Sequence, residues 1–148
     1  MIIEKIYCGK LDSKFHFAEI EVDLYLSQKG KAVKNIRAYI DTGANKSCVN
    51  ESLLAQYIEL EKEKTIEAFS FSGKENTKEI SNIYIRLVPL MEEKQFIPLP
   101  SVRTCNLVNG FQAIVGNDIL YSCEFTYNGL SDTFFLKYYA IRPDQKAI

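Results

Sequence analysis

The sequence predicts a mostly β fold with two short helices, and three observations carry that reading. Tyr and Phe contribute nine residues each to a chain of 148, and Ile and Val are also frequent, a bias towards strands. Ile20, Val22, Leu24 and Leu26 alternate with Glu19, Glu21, Asp23 and Tyr25, the period of a strand with one buried face. Polar turns punctuate the remaining short apolar runs, and only two segments read as helix. The length suits one core and is short for two, so a single domain over 1–148 is expected.

Taken in order, Ile2, Ile3, Ile6 and Tyr7 suggest a first strand and Gly9 to Lys14 a turn. The alternating strand follows and turns at Ser27 to Lys31 around Gly30. The chain returns as Val33 to Ile40, with Ile36, Ala38 and Ile40 on one face. Asn50 is positioned to cap a helix over Glu51 to Ile58, whose Leu53, Leu54, Tyr57 and Ile58 fall on one side as core packing. Glu59 to Lys64 reads as a solvated connection. Thr65 to Phe71 and Lys78 to Val88 read as strands joined by the polar, turn-prone Ser72 to Thr77. Met91 to Lys94 is a second polar turn. Phe96 to Cys105 carries Pro98 and Pro100, which suits an edge strand or a bulge. Asn106 to Gly110 turns the chain again, and Phe111 to Val115 is a short buried strand. Asn117 caps a second helix that ends near Cys123. Glu124 to Tyr127 and Thr133 to Tyr139 form a hairpin with Asn128-Gly129 in a tight turn, before the polar tail Arg142 to Ile148.

Composition removes several classes of function. A net charge of −1 and a pI near 5.9 give no electrostatic footprint for nucleic acid or an anionic membrane surface. No apolar run reaches membrane-spanning length. Met1 to Lys5 lacks the pattern of a secretory signal, so a cytoplasmic location is expected. Cys8, Cys48, Cys105 and Cys123 are scattered, without the close spacing of a zinc site or redox pair, and His16 is the only histidine. No metal or other cofactor is expected. The cysteines read as buried free thiols in a reducing cytosol, with a disulfide between two of them left open.

One stretch carries chemistry. Ala38-Tyr39-Ile40-Asp41-Thr42-Gly43-Ala44 is an apolar strand end that runs straight into an acid, a hydroxyl and two small residues. Asp and Gly disfavour a strand interior, so the chain turns after Ile40 and presents the Asp41 carboxylate at the strand's end. Thr42 and Gly43 follow with N–H groups able to point back at it. A carboxylate so held suits work on water or on a substrate. A second apolar run, Ala113-Ile114-Val115-Gly116, ends in Gly before the helix start Asn117-Asp118-Ile119-Leu120.

Together the two stretches resemble the retropepsin-like aspartic proteases, the single-domain retroviral-type relatives of pepsin. That family pairs apolar-apolar-Asp-Thr-Gly-Ala with a later apolar-apolar-Gly-x-Asn/Asp-apolar-Leu, in the order and separation found here over roughly residues 15 to 127. The resemblance implies an acid-protease barrel in which Asp41 is catalytic and Thr42, Gly43 and Ala44 support the active-site loop. Phe71, Ser72, Gly73 and Lys74 would form the tip of a substrate-binding flap. Ile114, Val115 and Gly116 would form the structural loop behind the active site.

One Asp-Thr-Gly in one short chain excludes the two-lobed pepsin arrangement. Two carboxylates at close range share one proton, so that one serves as base and the other as acid. The second Asp41 must then come from a second copy of the chain, and a homodimer is expected. The substrate implied is a polypeptide, held extended by main-chain bonds with apolar side chains in pockets. Asn117 and Asp118 stand where retroviral members carry Arg and then Asn or Asp, and Asn45-Lys46 lacks the acid which that Arg binds. These departures point to a cellular or bacterial branch. Two other readings compete: a dimeric peptide-binding module of the same fold that cuts nothing, and a small β-barrel binding domain in which Asp41 is only a turn residue.

Overall fold

The computed structural model describes residues 4–70, 73–107 and 109–139. In chain order the elements are β1 (Glu4–Lys10), β2 (Glu19–Leu26), β3 (Lys31–Ile40), β4 (Cys48–Asn50) and α1 (Glu51–Leu54). There follow β5 (Lys64–Ser70), β6 (Gly73–Leu87), β7 (Ile97–Cys105), β8 (Ala113–Val115), α2 (Asn117–Leu120), β9 (Cys123–Asn128) and β10 (Thr133–Tyr139). The main sheet runs β2-β3-β8-β4-β7-β6-β5, and a further pairing of β2 with β6 closes it into a barrel-like ring. A smaller sheet, β1-β10-β9, stands beside it.

β6 makes the closure possible by its length of 15 residues. One of its edges takes β5 along 73–79 and then β2 along 83–87, while the other takes β7 along 79–85. The ring encloses the faces that the alternation marks: Ile20, Val22, Leu24 and Leu26 from β2, and Val33, Ile36, Ala38 and Ile40 from β3, are all buried. Phe134 and Leu136 of β10 are fully buried. Both belong to the same core cluster.

The jump from Val33 to Ile36 on β3 marks a bulge. Val22 pairs with Ile36 but Leu24 pairs with Val33, so β3 carries an extra residue and Asn35 takes φ 61°. Asp23 answers it by accepting the Asn35 N–H at 2.9 Å, and its other oxygen takes Arg86 Nη1 at 2.8 Å. Asp23 is therefore a charged side chain at a buried position of β2, compensated by its partner across to β6.

Several elements differ from expectation. The first turn lies later in the chain, because β1 runs to Lys10, Leu11 bridges to Ala18, and the Asp12 carboxylate gathers the N–H groups of Lys14, Phe15 and Phe17. The first helix stops at Leu54. The Asn50 side chain does not cap it, since it is occupied by Leu107 N–H at 2.7 Å and the Phe111 carbonyl at 3.2 Å. The apolar stripe still faces inward, with Leu54 and Ile58 buried. Where a connection was expected, Leu60–Lys62 forms a 3-10 turn with Leu60 buried.

β7 is no edge. It pairs with β6 over 97–103 and with β4 over 103–105, so both prolines lie before the stretch that pairs with β4. The second helix has Gly116 at its N-cap position, and the Asn117 side chain leaves the helix for the Thr42 carbonyl. The last hairpin pairs Asn128 with Thr133 around a four-residue loop in place of a two-residue turn. Asn128 Oδ1 holds that loop by accepting from Leu130 and Ser131 N–H groups. Ile2, Ile3 and the tail Arg142 to Ile148 lie outside the described residues.

Candidate active site

The strand that ends at Ile40 is locked to β8 in parallel, Ala38 to Ala113, Tyr39 to Ile114 and Ile40 to Val115. Asp41 extends this ladder by one bond, its N–H donating to the Val115 carbonyl at 3.0 Å. The chain then turns. Gly43 N–H donates to Asp41 Oδ1 at 2.8 Å and Ala44 N–H to the Asp41 carbonyl at 3.2 Å. A Cβ on Gly43 would stand 3.2 Å from Asp41 Oδ1, so a side chain there would press on the carboxylate. Asp41 is left half-buried, with Thr42 and Gly43 exposed beside it.

Gly116 packs directly against this loop. A Cβ there would lie 2.7 Å from the Lys46 carbonyl carbon and 2.8 Å from the Ala44 oxygen, so no side chain fits without displacing backbone. Asn117 N–H donates to the Ala44 carbonyl at 2.8 Å and Asn117 Nδ2 to the Thr42 carbonyl at 2.9 Å.

Ser47 and Asp118 complete the seam, and neither was singled out as a site residue from sequence. Asp118 accepts Ser47 Oγ at 2.7 Å and Ser47 N–H at 3.0 Å, while Ser47 Oγ accepts the Gly116 N–H at 3.0 Å. The signal available was a small polar residue between the Asp41 loop and an apolar run, with an acid two residues after Gly116. Asn117 and Asp118 thus tie the two stretches together.

Beneath the loop lies an aromatic stack. The Tyr39 ring sits 4.4 Å from Phe17 and 5.0 Å from Phe111, centroid to centroid. Burial and the neighbouring Asp41 charge push the Tyr39 phenol up to about 12.

The loop separates two hollows. On one side Asp41 and Thr42 border a space of about 390 Å³ with His16, Phe17, Phe125 and Tyr127. On the other, Gly43, Ala44, Asn45 and Lys46 line a cleft of about 630 Å³ whose far wall is Ala68 and Glu75 to Thr77. The proposed flap strands therefore face the Asp41 loop across the larger cleft. Gly73 and Lys74 begin β6, and Gly73 pairs with Ser70, while Phe71 and Ser72 lie outside the described residues. Ile114 lines the cleft, and Val115 behind the loop is fully buried. The lining is more polar than the apolar pockets expected, with Lys46, Glu51, Glu75 and Arg103 among it.

Cys48 and Cys105 also line the cleft. A hydrogen bond from Cys105 and the charge of Arg103 lower the Cys48 thiol, whereas the same bond and burial raise Cys105. All four cysteines are free. Among the described residues no group of His, Cys, Asp and Glu is arranged to hold a metal ion, and no helix is long and apolar enough to cross a membrane.

The family model described as retroviral aspartyl protease matches residues 20–128. The chain belongs to that family. The fold agrees: a crystal structure of a retropepsin-like aspartic protease from Rickettsia conorii superposes with a TM-score of 0.58 at 13% identity, covering 95% of this chain and 97% of that one. No curated protein matches the sequence. The chain therefore has the mostly β, retropepsin-like barrel with two short helices that its sequence predicts.

Proposed function

We propose that this retropepsin-like chain is one subunit of a homodimeric aspartic endopeptidase. The observation that carries the reading is the Asp41 loop itself: one carboxylate per chain, half-buried, one oxygen fixed by the Gly43 N–H, between two hollows. A lone carboxylate of ordinary acidity is a poor base and a poor acid at once. Two Asp41 side chains facing each other across a two-fold axis share a proton, as in aspartic proteases generally. The ionised one then takes a proton from water as that water attacks the peptide carbonyl, and the protonated one supports the developing oxyanion.

Thr42 and Gly43 are exposed, which fits contact with the partner's loop and with substrate. An extended polypeptide would lie in the larger cleft between the Asp41 loop and the β5–β6 flap, its backbone bonding in strand fashion. Four free thiols fit a reducing compartment such as the cytoplasm. The test is cleavage of a mixed peptide library across pH 3 to 7 by wild type beside Asp41→Asn. Cleavage confined to the wild type is expected. A protein that binds peptides and cuts none is the peptide-binding module instead.

A further inference from the structure

We propose that the cleft beside the Asp41 loop accepts an acidic side chain of the bound peptide, and that Arg103 reads its carboxylate. The proposal rests on the peptide-binding reading of that cleft. Strand register puts Arg103 in the cleft wall: it pairs with Cys48 on β4 and with Glu79 on β6, so the three share one row on one face. Two residues further on, Cys105 and Thr77 take the next row of the same face, and Cys48, Arg103, Cys105 and Thr77 all line the cleft.

Two buried polar atoms in that wall, Arg103 Nε and Thr77 Oγ1, make no hydrogen bond among the described residues. Among the described residues no carboxylate lies within ion-pair distance of the Arg103 guanidinium. Glu79, opposite it, is directed elsewhere: its carboxylate stands 4.0 Å from Lys46 Nζ, which donates to Ser101 Oγ at 2.9 Å. Glu51 and Glu75 also line the cleft, but both are exposed, where water and salt screen them. A partly buried guanidinium without an acid is costly, and its planar fork matches a carboxylate bidentately. Arg103 lines the cleft, so the rest of its guanidinium can take from a substrate Asp or Glu the carboxylate that it lacks among the described residues, and an apolar side chain offers none.

The experiment measures binding with the full-length Asp41→Asn protein and a fluorescent host peptide, acetylated and amidated, with one Glu or Gln placed at each position in turn. At one position Glu is expected to bind at least about tenfold tighter than Gln, as suits a charge-assisted pair. Arg103→Met should equalise the two, and Arg103→Lys, the safer variant for folding, should keep part of the preference. Equal affinities at every position, no peptide binding, or a preference that survives in folded Arg103→Met would overturn the proposal. Cleavage by wild type is read separately. Glu-selective binding without cleavage would remove the protease and keep the subsite, whereas cleavage indifferent to Glu would do the reverse.

Discussion

Ser47 Oγ donates to Asp118 Oδ1 at 2.7 Å across the seam between the Asp41 loop and α2. Ser47 is buried, and its N–H and hydroxyl both end on that carboxylate. Removing the acid leaves two buried donors unanswered. Asp118→Ala should cost about 3 kcal/mol of stability, and Asp118→Asn less, because an amide oxygen keeps one acceptor. Urea unfolding measures both. Equal, near-zero losses would mean that the seam contributes nothing.

Gly116→Ala tests how closely the two stretches pack. A methyl 2.7 Å from the Lys46 carbonyl carbon must push the loop away, at a cost of about 1–3 kcal/mol or more. Because the displaced backbone belongs to the Asp41 loop, peptide cleavage should fall further than the folded fraction does. Activity that tracks folded protein alone would confine Gly116 to a purely structural role.

The Asp23–Arg86 pair is the buried charge of the barrel rim. Arg86→Met should cost about 3–5 kcal/mol, since it strands the Asp23 carboxylate. Adding Asp23→Asn to that background should recover part of the loss, because the uncompensated charge is gone. A double-mutant cycle in urea decides it.

Much of this was legible in sequence because it is periodic or local. The alternation of β2 exposed its core face directly, and Asp41-Thr42-Gly43 announced a turn whose small residues have no other use. β4 was not legible. Three residues form it, and its partners lie at 103–105 and 113–114, so nothing local marks it as a strand. The Ser47–Asp118 bond joins side chains 71 positions apart and leaves no pattern. Asn50 misled for the opposite reason: it stands where a cap belongs, but a distant turn uses its amide more fully. Pro98 and Pro100 suggested an edge, and locally they have one, because β4 is too short to reach them.

Alkaline pH should destabilise the fold through Cys123. Burial raises its thiol from 9.0 to about 12, so between those values the unfolded chain has lost a proton that the native one keeps. Unfolding then releases protons, and stability falls as pH rises through that window. Cys123→Ala should flatten the slope. In native protein at pH 8, exposed Cys8 and the lowered Cys48 should react with iodoacetamide well before Cys105 and Cys123, as read by peptide mass mapping.

The most direct test of shared catalysis is cleavage rate per subunit over a dilution series, with the solution mass measured at each concentration. If each subunit supplies one Asp41, specific activity should fall in step with the dimer fraction, and excess Asp41→Asn subunits should poison the wild type through heterodimers with a single acid. Constant activity per subunit far below the dimer dissociation constant would show Asp41 working alone and would contradict the account.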